Sequence, residues 1–234
     1  MARLAAADRR ARLAEAALTV AARDGLAAAS TRAIVAEAGM PLASFHYAVA
    51  SRDDLLRDVI GLVVDRESEA AGALLGDATD VRGALRDALG GYLALVRRDP
   101  GREQAMFELT QHALRTPGLV DLPAEQYARY HAVAAALLEA GGARLGIRWT
   151  VPVADLARLV VGITDGATLA WLADRDDAAA ERVLDLAADA LAAFAEAAVE
   201  PVETTDPVST VASTSSTTGT GSAVEPVETT AEAR

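Results

Sequence analysis

The chain reads as all-helical, and three observations carry that reading. Apolar residues recur at three- and four-residue spacing through most of the sequence, with no alternating run of strand character. Aromatic residues make up only 4% of the chain against 52% apolar residues in all, so Ala, Leu and Val must do the packing, and Ala-rich segments favour helix. Gly and Pro punctuate the pattern at Gly25, Gly39, Pro100-Gly101, Pro117-Gly118 and Gly141-Gly142, which divides it into helices of ordinary length.

The first helix is expected over residues 4–23, ending at Gly25, with Leu13, Ala17, Val20 and the flanking Leu18 facing the core. Arg9, Arg10 and Arg12 near its start suit either backbone phosphates or a solvated face. Residues 30–55 then read as two short helices joined by a tight turn, with a third opening behind them. Ser30 or Thr31 can cap the first, whose Ile34, Val35 and Ala38 lie at helical spacing. Gly39 ends it, because glycine accepts the left-handed conformation that helix C-termini often need. Pro41 suits the first turn of the next helix, which carries Leu42 to Tyr47. Ser51-Arg52-Asp53-Asp54 has capping-box spacing ahead of the apolar run from Leu55. This is a helix-turn-helix pattern, whose second helix would enter the DNA major groove.

Thr31-Arg32, residues 34–39 as IVAEAG, Ser44-Phe45 and residues 51–55 as SRDDL together resemble the DNA-binding domain of tetracycline-repressor-type (TetR family) regulators. The signature covers roughly the first quarter of the chain. Three features depart from it. Val35 stands where the family usually has a small Ala at the helix crossing. His46 to Val49 replaces a more aromatic run, and Leu42 stands where a polar or basic residue is common.

Beyond residue 53 the pattern gives long amphipathic helices over 53–75, 80–98, 102–115 and 123–140, a loop over 146–152 carrying Trp149, and helices over 153–173 and 177–198. Gly90-Gly91 inside the second of these suggests a bend or a close helix approach. From Val199 the chain lacks Leu, Ile and aromatic residues, and AVEPVETT at 198–205 recurs at 223–230. Such a segment cannot bury enough to offset its ordering entropy, so 199–234 is expected to be a disordered tail. The division is therefore 1–52 for the helix-turn-helix domain, 53–198 for a helical effector-binding and dimerisation domain, and 199–234 for the tail.

Composition narrows the function. With no Cys there are no disulfides, thiolate metal sites or cysteine nucleophiles. There is no signal-peptide core, and the longest apolar run, 159–172, is interrupted by Asp165, so a cytoplasmic protein outside the membrane is expected. The net charge is −12, yet residues 1–52 hold seven arginines against four acids, a mildly basic head on an acidic body. No Lys, phosphate-binding glycine loop, HExxH or GxSxG argues for an enzyme. A helical carrier or enzyme with a structural N-terminal domain is the alternative, and an activator of the same fold is another.

The resemblance places DNA contacts at Thr31, Arg32, Leu42, Ala43, Ser44, His46, Tyr47 and Arg52. Arg32 can pair bidentately with guanine, Ser44 and Tyr47 can donate to phosphate or base edges, and Leu42 and Ala43 can meet a thymine methyl. His46 suits a base edge or a phosphate, and Arg52 a positioning phosphate contact. Phe45 follows the apolar spacing and is assigned to the core.

The resemblance also implies a homodimer through the last two helices. Gly162, Gly166 and Ala170 recur every four residues, flanked by Leu156, Leu159, Ile163 and Leu169; Val183, Leu184, Leu191 and Phe194 follow in the last helix. Ordinary packing within one chain explains the same pattern. The middle helices would enclose a pocket for an unknown small-molecule effector, drawn from Tyr92, Met106, Phe107, Gln111 and His112, with Tyr127, Tyr130, His131, Trp149 and Trp171. That set equally suits a core. Glu108, His112 and His131 are conceivable metal ligands, but hydrogen-bonded histidines are the commoner case, so no metal and no cofactor are expected.

Overall fold

Nine helices and one small sheet make up the described residues of the computed structural model, 6–72 and 77–198, with backbone alone described over 67–72. The expected disordered tail lies outside them.

The head comprises α1 (Ala6–Asp24), a 3-10 turn (Leu26–Ala28), α2 (Thr31–Glu37) and α3 (Leu42–Ala48). Local chemistry fixes each boundary. The Ser30 hydroxyl accepts from Ala33 N–H, which caps α2. At its other end Gly39 has φ +62, Gly39 N–H donates to Ala36 O and Met40 N–H to Val35 O, a Schellman closure. Pro41 sits just before α3 in an extended conformation rather than within its first turn. The Ser51 hydroxyl accepts from Asp54 N–H at the start of α4 (Arg52–Gly72), while the Asp54 carboxylate reaches back to Ala50 N–H.

The body contains α5 (Val81–Arg98), α6 (Pro100–Ala113), α7 (Leu122–Leu145), α8 (Val153–Asp174) and α9 (Asp177–Ala192). Four boundaries differ from the sequence reading. Asp99-Pro100-Gly101 starts α6 rather than separating it from α5, because the Asp99 side chain accepts from Arg102 N–H and Pro100 occupies the first turn. Gly141-Gly142 does not end α7, which continues to Gly146 at φ +64. Gly142 is instead a packing residue: a Cβ there would lie 3.2 Å from Trp149 Nε1. The loop expected at 146–152 contains β1 (Ile147–Trp149), which pairs antiparallel with β2 (Ala195–Ala197), so α9 stops at Ala192 and the reading of no strands is corrected. Gly90 faces open space among the described residues.

Two apolar cores form. The first joins α1 (Leu13, Val20), α2 (Ile34), α3 (Phe45) and α4 (Leu55, Val63) to one face of α6, through Ala105, Met106 and Leu109. It therefore spans position 52. The second joins α5 (Leu93, Val96), α7 (Leu138), α8 (Leu156, Val161) and α9 (Leu184, Leu191). Arg97 of α5 bridges to Asp177 and Glu181 at 2.8 and 2.9 Å, and Arg86 pairs with Asp185, lacing α5 to α9.

Two glycines test the packing. A Cβ on Gly101 would lie 2.5 Å from the Ala22 carbonyl oxygen, so Gly101→Ala should destabilise the fold by ~1–3 kcal/mol in urea denaturation. Gly90→Ala, in a helix interior with open space, should stabilise it by ~0.5–1 kcal/mol.

Candidate nucleic-acid interface and internal cavity

The inward faces of α2 and α3 are anchored by Ile34, Val35 and Phe45, all buried, which turns the other faces outward. Arg32, Leu42, Ala43, His46 and Tyr47 are exposed, Tyr47 by 79%, and Thr31 and Ser44 are half-buried. Arg32 makes no ion pair or hydrogen bond with the described residues. Arg9 of α1 shares a shallow notch with Ala43, Ser44 and Tyr47 of α3.

Arg52, expected as a phosphate contact, and Arg10, expected either there or on a solvated face, are both engaged within the chain. Arg52 donates from Nε to Ala29 O and from Nη2 to Leu26 O, both at 2.9 Å. It ties α4 to the turn ahead of α2. Arg10 pairs with Asp54 at 2.9 Å and with Asp58, which pins α1 to α4. The guanidinium holds the Asp54 carboxyl below its usual range.

A cavity of about 670 Å³ lies between α4, α5, α6, α7 and α8. Of the expected pocket residues, Tyr92, Met106, Phe107, Tyr127, Tyr130 and Trp149 line it. Four do not. Gln111 is exposed, His112 contacts Thr116, His131 lies behind Tyr127, and Trp171 is buried with Nε1 donating to Asp177 Oδ1 at 2.8 Å. The sequence reading missed Gln126 and Asp165. Buried Gln126 accepts from the Thr110 hydroxyl at 3.1 Å and donates to the Tyr130 oxygen at 3.2 Å. Asp165 Oδ2 accepts from the Tyr127 hydroxyl at 2.6 Å. Burial raises the Asp165 carboxyl above its ordinary range, with the Tyr127 hydrogen bond opposing the shift, and raises the Tyr127 phenol too. Glu108, weighed above as a metal ligand, accepts from Leu26 N–H at 2.7 Å, and no group of three acids or histidines suited to a metal occurs among the described residues.

The interface residues divide in two. Leu156, Leu184 and Leu191 are buried in the second core, so their helical periodicity marked the inward face and not an outer one. Leu159, Gly162, Gly166, Leu169, Ala170 and Val183 are exposed, and Ile163 and Phe194 are half-buried. Leu186, exposed by 67%, joins that outer set. By length and composition α8 is apolar enough to cross a membrane, and only 33% of its most apolar window is buried, so the chain leaves most of that surface open.

A short helix pair with an outward polar and aromatic face, carried on a helical body around a cavity, is the architecture of a helix-turn-helix transcriptional regulator. Residues 81–196 match the family described as BetI-type transcriptional repressor, C-terminal. The nicotine-responsive transcriptional repressor HdnoR of Paenarthrobacter nicotinovorans is 29% identical over 188 residues, covering 80% of this chain and 96% of that protein. Among solved structures, the multidrug binding protein EbrR complexed with imidazole is 31% identical, over 76% of this chain and 88% of that one, with a TM-score of 0.54. A TetR transcription regulator from Haloarcula marismortui shares the fold at 21% identity and a TM-score of 0.64, over 81% of this chain and 100% of that one. This chain belongs to the TetR family of transcriptional regulators.

The Arg10–Asp54 pair gives a pH signature. A depressed carboxyl pKa stabilises the fold above the unfolded value of about 3.9, and that contribution disappears as pH falls through the folded value. Asp54→Asn should therefore be less stable than wild type at pH 7, with the gap closing only below about pH 4 in denaturation series at stepped pH.

Proposed function

We propose that the chain is a homodimeric repressor that reads a double-stranded DNA operator through α2 and α3 and is released by a small-molecule effector bound in the cavity. The outward face of these two helices carries the reading. Arg32 stands exposed at the first turn of α2, beside Thr31, and Leu42, Ala43, Ser44, His46 and Tyr47 follow along α3. Its inner side is locked by Phe45, so the face is held rigid toward a groove. Specificity rests on Arg32, groove shape and apolar contacts, because α3 holds no Lys or Arg. Arg9 shares the notch with Ala43, Ser44 and Tyr47, which puts it on the side of α3 where a phosphate contact would fall. The names of HdnoR and EbrR, which speak of nicotine and of multidrug binding, favour a small-molecule signal.

Two half-sites need two reading heads, and the open face of α8 and α9 supplies a means of pairing. Cβ atoms added at Gly162 and Gly166 meet nothing within 4 Å, so a second helix can approach there closely. Leu159, Leu169, Val183 and Leu186 provide the apolar surface around that strip. In energetic terms the effector must bind the released state more tightly than the DNA-bound one, and it shifts the balance only by that difference. A repressor of this kind works in the cytoplasm.

Titration against the DNA just upstream of the protein's own gene, at two salt concentrations, tests the reading. Arg32→Ala should lose ~1–3 kcal/mol on the operator and little on unrelated DNA. Equal loss on both sequences would assign Arg32 to phosphate instead. Leu169→Glu should convert a dimer to a monomer in sedimentation equilibrium and abolish tight operator binding; an unchanged mass would remove α8 from the interface.

A further inference from the structure

The cavity has an uneven charge distribution that points to the chemistry of its ligand. Five of its charged lining residues, Arg66, Arg98, Asp99, Arg102 and Glu103, come from the end of α4 and the α5–α6 junction. Within that group Arg66 is tied to Glu15, and Asp99 caps α6. The sixth is Asp165, midway along α8, and every other lining residue from α7 and α8 is uncharged. Among the described residues no cation pairs with Asp165. Its Oδ2 accepts from Tyr127, a neutral donor, and its Oδ1 accepts no hydrogen bond from them. Tyr127 stands edge to face with Tyr130, at 5.8 Å between ring centroids, and both rings line the cavity. His131, next to Tyr127, has its imidazole pKa held down by burial and by Arg158, with the Asp165 carboxylate opposing that shift.

We propose that the cavity takes a monocationic organic amine with an apolar, ring-sized body, its ammonium group seated between the Asp165 carboxylate and the Tyr127 and Tyr130 rings. The assignment rests on the reading of the cavity as the effector site. Asp165 is half-buried, and an ionised carboxylate partly withdrawn from water is costly until a cation meets it, with one phenol only partly compensating. Tyrosine faces attract the same cation through their ring quadrupoles. An anionic ligand placed there faces repulsion from Asp165, and a neutral ligand leaves the acid unpaired. The cavity volume, about 670 Å³, lies within the range of small-molecule sites.

Displacement of the neutral dye Nile red from the full-length protein separates the possibilities, with 2-phenylethylamine, 2-phenylethanol and phenylacetate as probes of one size. The amine should displace the dye at a concentration at least about tenfold below the alcohol, with phenylacetate weakest, and in Asp165→Asn the amine preference should shrink to about twofold or less. Tyr127→Phe keeps the carboxylate and should keep the preference, so the test survives a poorly folded Asp165→Asn protein. Equal displacement by amine and alcohol on the wild-type chain would mean a neutral, protonated Asp165, overturning the cation assignment while leaving the cavity a ligand site. No binding of the dye or of any probe, checked by calorimetry, would overturn both.

Discussion

The docking of α6 against the reading head is the contact on which the rest of the structure depends. At its N-terminus Gly101 lies so close to the Ala22 carbonyl that no side chain fits between them. One helical face further on, the Glu108 carboxylate accepts from Leu26 N–H at 2.7 Å, which holds the turn just ahead of α2. Arg52 fastens the same turn from the α4 side through Leu26 O and Ala29 O. A charged partner on a backbone group in a partly buried site is among the stronger hydrogen bonds a protein makes. The turn that sets the pose of α2 is thus clamped by two helices of the body.

The same α6 also forms part of the cavity wall. Met106 belongs to the first core and lines the cavity as well, while Phe107 and Thr110 face it from the neighbouring positions. Packed side chains and fixed hydrogen bonds form the kind of contiguous connection through which two sites can be coupled. The helix behind the reading head, α4, is the other route between the two sites. Both helices touch the head and the cavity, α4 through Arg52 and the Arg10 pairs and α6 through Gly101 and Glu108.

Much of the head was legible because its determinants are local. Ser30, Gly39, Ser51 and Asp54 each act within a few residues of their own position, so spacing alone identified them. The errors arose where a long-range partner decides the outcome. Gly141-Gly142 reads as a helix stop until Trp149, folding back from β1, claims the space over Gly142. Spacing does not show that Arg10 meets Asp54 and Asp58, or that Arg52 meets two backbone carbonyls. Periodicity in α8 and α9 does not show which apolar face turns inward, so the interface expected from sequence includes the buried Leu184 and omits the exposed Leu186. Asp165 was visible as the one charge interrupting an apolar run, and its meaning emerged only with Tyr127 beside it.

Amide hydrogen exchange across residues 24–37 and 100–109, measured before and after the cavity is saturated with 2-phenylethylamine, goes most directly to the proposed coupling of cavity and reading head. No residue of 24–37 lines the cavity. If α6 carries the state of the cavity to the head, exchange rates change in both segments together, with the Leu26 amide among those affected. A change confined to the cavity walls, with 24–37 unaltered, would contradict that account and leave the Gly101 and Glu108 contacts as structural supports alone.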